Sequence, residues 1–125
     1  MAGFKTFEEI AAWQEARMLV GEIYSATGRP PFCQDYGLRD QIQRAAVSIG
    51  SNIAEGFERR GNREFIKFLW IAKGSAAEVA SQLYYAKDLS YVDEMQFADL
   101  HARAKRISAM LFKLISSIKE PNRLK

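Results

Sequence analysis

Residues 36–60, YGLRDQIQRAAVSIGSNIAEGFERR, read as one long helix with two different sides. Leu38, Ile42, Ala45, Ala46, Ile49, Ile53 and Phe57 recur at three- and four-residue steps, which lays them in one stripe facing a core. A second side carries Val47, Gly50, Ser51 and Ala54, groups small enough to let another backbone come close. Between the two lie Gln41, Ser48, Asn52 and Glu55, more polar groups than a helix flanked by protein on two sides ordinarily keeps. The stretch therefore predicts a helix packed against more than one neighbour.

The flanking segments supply those neighbours. Upstream, Thr6-Phe7-Glu8-Glu9 has the capping-box pattern, and Ile10, Trp13, Arg17, Val20 and Tyr24 follow at helical spacing, with Ala16 and Ile23 alongside. Gly28, Pro30 and Pro31 stop that helix, and Phe32 and Tyr36 are expected to fold the connection back onto the bundle. Downstream, Gly61-Asn62 predicts the turn, with Asn62 as N-cap of a third helix running from about Arg63 to Leu89. Its core stripe is Phe65, Phe68, Leu69, Ala72, Ala76, Val79, Leu83 and Ala86. A second apolar line, Ile66, Trp70, Ala77, Ala80 and Tyr84, predicts a second partner surface. Asp93 and Gln96 cap a fourth helix, with Val92 and Phe97 at the staple positions. Phe97, Leu100, Ala104, Ile107, Leu111, Leu114 and Ile118 form its heptad-type seam, and Pro121 ends it.

Four helices joined by short connections predict an all-α, up-down-up-down four-helix bundle, one domain over residues 1–125. Counting back from the Gly61 turn sets Ala46, Val47 and Gly50 opposite Gly74, Ser75 and Ile71. On that register Gly50→Leu overpacks the contact between helices two and three, at a cost of about 1–3 kcal/mol. Ion pairs are expected between Glu55 and Arg59 and between Asp40 and Arg44. Asn52 is expected to cap or bridge neighbouring helices, or to lie at a subunit contact.

Composition narrows the class of function. A hydrophobic fraction of 48% suits a soluble globular domain, and charges interrupt every apolar run before it reaches the roughly 18–20 residues of a membrane span. The N-terminus has no secretory pattern, so a cytoplasmic protein is expected. One cysteine, Cys33, rules out an internal disulfide and a cysteine-based zinc site; one histidine, His101, rules out His-rich metal motifs. No cofactor motif and no nucleophile with a base is visible, so a non-enzymatic role is expected. The net charge of +3 is concentrated. Arg59, Arg60, Arg63 and Lys67 cluster after the second helix, and seven Lys or Arg, among them Arg103, Lys105 and Arg106, stand against one acid from His101 to Lys125. Such clusters contact phosphates or else are solvated helix ends.

The run Gln41-x-x-Arg44-Ala45-Ala46-x-Ser48-Ile49-x-Ser51-Asn52-Ile53-Ala54-Glu55-Gly56 resembles the signature of the 23S ribosomal RNA intervening-sequence proteins. Tyr36-Gly37-Leu38 before it and Phe65-x-x-Phe68-Leu69-x-Ile71-Ala72-x-Gly74-Ser75-x-x-Glu78 after it fit the same family. The chain departs from the pattern at Pro30-Pro31, Gln34 and Gly50. The resemblance implies a homo-oligomeric bundle, a ring of five, with no known enzymatic activity. It extends to the accessory variability proteins of diversity-generating retroelements, basic pentamers that bind nucleic acid and a reverse transcriptase. The expected function is a nucleic-acid-binding or RNA-associated scaffold, with Arg59, Arg60, Arg63 and Lys67 the first candidates for phosphate contact and Arg103, Lys105 and Arg106 next. Asn52, Glu55, Gly56, Ile66, Trp70 and Tyr84 are the candidates for structural or subunit contacts. The alternative is a scaffold that docks a partner protein and has no nucleic-acid role.

Overall fold

The computed structural model describes residues 3–119. Four helices, α1 (Ala11–Thr27), α2 (Tyr36–Glu58), α3 (Asn62–Asp88) and α4 (Glu94–Lys119), are joined through short 3-10 turns and tight connections, and the described residues contain no strand. Each helix packs on its neighbours in sequence and α4 closes back on α1, the up-down-up-down arrangement. Pro121 and the basic positions Arg123 and Lys125 lie outside the described residues.

The core stripes of α2 and α3 fall where their periodicity puts them. Ile42, Ala46, Ile49, Ile53 and Phe57 meet Phe65, Leu69, Ala72, Val79 and Leu83 in the interior, all of them buried. Leu38 sits at the rim. In α1 the buried face differs from the expected one: Ala12, Ala16, Leu19, Ile23 and Ala26 face inward, while Tyr24 is 48% exposed and Arg17 lies outside. The large residues of the Trp13–Tyr24 line drew the stripe one step round the helix. Small alanines hold the inner face because they let α1 approach α2 closely. In α4, Ile115 takes the buried place expected of Leu114, which is only partly covered.

The helix ends show which local signals act. Asp93 Oδ1 accepts from the Gln96 N–H at 2.7 Å and Gln96 Oε1 from the Asp93 N–H at 3.1 Å, the reciprocal cap expected of that pair. At the N-terminus, Phe7–Glu9 form a 3-10 turn in which Thr6 makes no side-chain cap, and Glu9 reaches back to the Lys5 N–H instead. The first helix accordingly begins at Ala11. At the far end of the bundle the two loops are tied together. Buried Phe32 stacks on Tyr91 at 5.0 Å, and the Tyr91 hydroxyl donates to Asp35 Oδ2 at 2.9 Å while Oδ1 caps α2 through the Leu38 N–H. The hydrogen bond to Asp35, then burial and the Asp35 charge, hold the Tyr91 phenol above its ordinary value. Tyr36 does not share in this: it is 65% exposed, its ring lying under the Arg39 guanidinium. Arg39, rather than Arg44, pairs with Asp40, at 2.9 Å.

The α2–α3 register is set about two residues from the counted one. Ser48 Oγ lies 2.9 Å from Ser75 Oγ, and Gln82 Nε2 donates to Gln41 Oε1 at 3.4 Å, two rungs of the same antiparallel ladder. Gly50 does not pack on Ile71 as counted, because its nearest neighbours, Trp13 and Ala16, lie on α1. A Cβ on Gly50 would sit 3.4 Å from Trp13 Nε1 on α1, and one on Gly74 would meet nothing within 4 Å. The close approach between α2 and α3 lies further on, where a Cβ on Gly56 would come within 2.5 Å of the Phe68 Cβ. Only a glycine fits there without movement of a backbone.

Candidate nucleic-acid interface

The turn between α2 and α3 gathers the first basic cluster. The helix ends at Glu58, and Arg60 takes a left-handed conformation at φ 62°, its N–H bonding to the Phe57 carbonyl. Gly61 is extended and serves as N-cap, so the expected assignment of the turn to Gly61 and of the cap to Asn62 moves one residue toward the N-terminus. The local geometry closes the helix through a C-terminal left-handed residue, a place usually given to glycine. With no side-chain cap at Gly61, the first N–H groups of α3 lack a side-chain partner beside the arginines.

Arg59 is half-exposed, 3.7 Å from Glu55 and 3.9 Å from Glu64, with its guanidinium 5.2 Å above the Phe68 ring. Arg60 lies over Phe57 at 5.2 Å. Arg63 and Lys67 stand exposed one turn apart on α3, and neither they nor Arg60 join an ion pair among the described residues. The sequence groups these four by proximity, and the fold brings them to one end of the bundle.

The second basic group is divided. Arg103 is directed at α1, 3.2 Å from Glu15 Oε1 and 2.6 Å from Glu22 Oε1, and Arg106 approaches Glu15 at 3.8 Å. Lys105 remains exposed beside His101. Two of the three cations are thus turned toward carboxylates of the same chain.

The candidates for structural or subunit contacts also separate. Asn52 Nδ2 donates to the Ser48 carbonyl and hydroxyl at 2.8 and 2.9 Å, a bond within α2 that orients Ser48 toward Ser75. Glu55 holds Arg59, Gly56 is buried at the close approach, and Ile66 is half-buried against the core. Trp70 is 43% exposed, its edge toward Phe112, with Lys119 Nζ 5.7 Å from its ring. Tyr84, 49% exposed, meets both Phe97 and His101 at about 5 Å. Ala80, from the same apolar line, is instead buried. His101, to which the sequence gave no role, stacks on Phe97 one turn before it. Burial, and secondarily Lys105, lower its pKa from the ordinary imidazole value, so the ring is neutral at pH 7. The four-residue spacing from Phe97 was the available signal.

The Ser48–Ser75 contact, the Asn52 bonds that orient it and the glycine approach of Gly56 to Phe68 fall on the residues that carry the family resemblance. The family model described as 23S rRNA-intervening sequence protein matches residues 8–113. The chain belongs to that family. A crystal structure from Bacteroides thetaiotaomicron, described as a protein of unknown function from the S23 ribosomal protein family, is similar with a TM-score of 0.77. It is 22% identical, and the likeness covers 84% of this chain and 98% of that one. The match supports the all-helical fold. No curated protein matches. Among the described residues no cluster of His, Cys, Asp or Glu could hold a metal ion, and no helix is long and apolar enough to cross a membrane. Cys33 is partly exposed, and its carbonyl accepts from Arg39 Nη1 at 3.1 Å.

Proposed function

We propose that this member of the intervening-sequence family is a non-catalytic, cytoplasmic homo-oligomer, a ring of five as the resemblance implies, which binds nucleic acid at the α2–α3 turn. The observation that carries the reading is the grouping of Arg60, Arg63 and Lys67, without ion-pair partners among the described residues, beside the uncapped start of α3. Cations without ion-pair partners and N–H groups without a side-chain cap favour phosphate, and the dipole of α3 adds positive potential at the same place. Arg59 is pre-positioned by Glu55, Glu64 and Phe68, and Lys105 offers a secondary contact. One subunit of net charge +3 binds weakly, and several copies on one polynucleotide gain by effective concentration.

Fluorescence anisotropy with labelled RNA, single-stranded DNA and duplex DNA across a salt series tests this, with the oligomer mass measured in the same buffer. The expected result is an affinity that falls log-linearly with salt and is abolished by combined Arg59→Glu, Arg60→Glu and Arg63→Glu with assembly unchanged. Binding that survives the triple reversal refutes the named patch. Absence of binding by the assembled oligomer favours a scaffold for a partner protein, for which the exposed Trp70 and Tyr84 are the supporting observation.

A further inference from the structure

The α3–α4 face carries two exposed aromatic rings set among cations. The contacts of Trp70 with Phe112 and of Tyr84 with Phe97 fix the two helices as antiparallel neighbours. Toward the end of the bundle that holds the α2–α3 turn, Trp70 and Phe112 stand 43% and 51% exposed. Their ring centroids are 6.3 Å apart and their planes are inclined at 66°. The rings meet by an edge and do not stack, so each keeps aromatic surface for a third ring.

The helical period places the cations around this pair. On α3, Arg63, Lys67 and Trp70 follow at four- and three-residue steps, one exposed line that begins in the basic cluster of the turn. On α4, Lys105, Phe112 and Lys119 recur every seventh residue, so a lysine lies about 10 Å to either side of the ring along the same face. Lys119 Nζ is 5.7 Å from the centre of the Trp70 ring. Residues 65–77 of α3 and 100–119 of α4 contain no aspartate or glutamate. Arg63, Lys67 and Lys105 join no ion pair among the described residues.

We propose that Trp70 and Phe112 stack on unpaired bases, with the flanking cations on the phosphates, so that the chain binds single-stranded nucleic acid in preference to duplex. This rests on the nucleic-acid part of the function proposed above and adds the class of strand it takes. Two arguments favour that occupant. The centres of protein interfaces are depleted in lysine, whereas here lysine borders the aromatic pair on both helices. A single strand supplies what each group lacks, negative charge for the cations and a π-face for the rings. In a duplex each base face is covered by its stacked neighbours, and only groove edges and phosphates remain open to the protein.

Two measurements on the full chain test the proposal. The first is anisotropy with labelled oligo-U, oligo-dT, an abasic strand and a duplex, all of equal length, with the oligomer mass measured in the same buffer. Wild type should bind the two base-bearing single strands at least about tenfold more tightly than the duplex or the abasic strand. Trp70→Leu with Phe112→Leu keeps apolar volume and removes the π-faces, and circular dichroism verifies its folding. It should lose about tenfold or more in single-strand affinity and leave duplex affinity and oligomer mass unchanged. The second uses Trp13→Phe, which leaves Trp70 as the only tryptophan. Oligo-U and oligo-dT should quench its emission, and the abasic strand should not. Equal affinity for duplex and single strand, an undiminished leucine variant, or unquenched Trp70 at saturation overturns the stacking role and leaves the phosphate patch at the turn standing. A leucine variant of altered oligomer mass assigns the face to a second copy and overturns it equally. Binding to none of the four probes overturns the nucleic-acid reading and the inference together.

Discussion

Between α2 and α3 the contact is close and uncharged. Gly56 admits the Phe68 Cβ, and further along the seam Ser48, Ser75, Gln41 and Gln82 bond to one another as neutral groups. Between α1 and α4 the contact is less extensive, and charge bridges it: Arg103 spans Glu15 and Glu22, which lie two turns apart on α1, and Arg106 adds to Glu15. One seam relies on shape and neutral hydrogen bonds, the other on ions that span a less extensive contact. The difference teaches that solution conditions act unequally on the bundle. Salt and charge mutations should loosen the α1–α4 side, and changes of volume should disrupt the α2–α3 side.

The largest effect that would establish this contrast is expected from Gly56→Ala. A single methyl at 2.5 Å from the Phe68 Cβ forces α2 and α3 apart, and the loss should be about 2–3 kcal/mol, read from denaturant unfolding. A variant as stable as the wild type would mean that the two backbones are not in contact there.

Arg103→Met comes next. It leaves Glu15, whose side chain is only 19% exposed, without its nearest cation, and should cost about 1–2 kcal/mol near neutral pH. The deficit should shrink as salt is raised, whereas that of Gly56→Ala should not. Equal salt dependence of the two variants would erase the distinction between the seams.

A third test uses Gly50, which faces α1 and not α3. Alanine there meets Trp13 Nε1 at 3.4 Å, an ordinary contact, while removing a glycine from a helix interior. Gly50→Ala should therefore stabilise by about 0.5–1 kcal/mol, and Gly50→Leu should still destabilise, by pressing on Trp13. A destabilised alanine variant would show that the Trp13 ring cannot yield.

The smallest effect is expected from pH at the aromatic α3–α4 seam. The folded state lowers the His101 pKa, so its contribution is present above the ordinary imidazole value and is lost as pH falls through the lower folded one. Mild acid should destabilise the wild type slightly more than His101→Phe, which keeps the stack on Phe97 without titrating. Parallel pH profiles for the two proteins would remove His101 from the account.

Much of this architecture was legible beforehand. The stripes of α2 and α3, the Asp93–Gln96 cap and the four-helix count all follow from local spacing, because burial of one helix face imposes its period on the sequence. The inner face of α1 was not legible in the same way. Alanine carries little hydrophobic signal, and the larger Trp13, Val20 and Tyr24 mark a rim and an outer surface instead. The basic cluster at the α2–α3 turn was readable because its members are near in sequence. The turning of Arg103 and Arg106 toward α1 was not, since their acidic partners lie on a helix at the other end of the sequence.

The sequence by itself determined the elements, their order and the pairing of α2 with α3, all consequences of periodicity and of a turn too short to permit another topology. Tertiary structure decided the register, which glycine lies at the contact and which cations stay free of carboxylates among the described residues. These depend on which side chains fill the space between helices, and a shift of two residues along an axis costs little locally but reassigns every partner across the seam. Gly50 and Gly56 have the same local helical propensity; only the neighbouring helix makes one a position that can be filled and the other one that cannot.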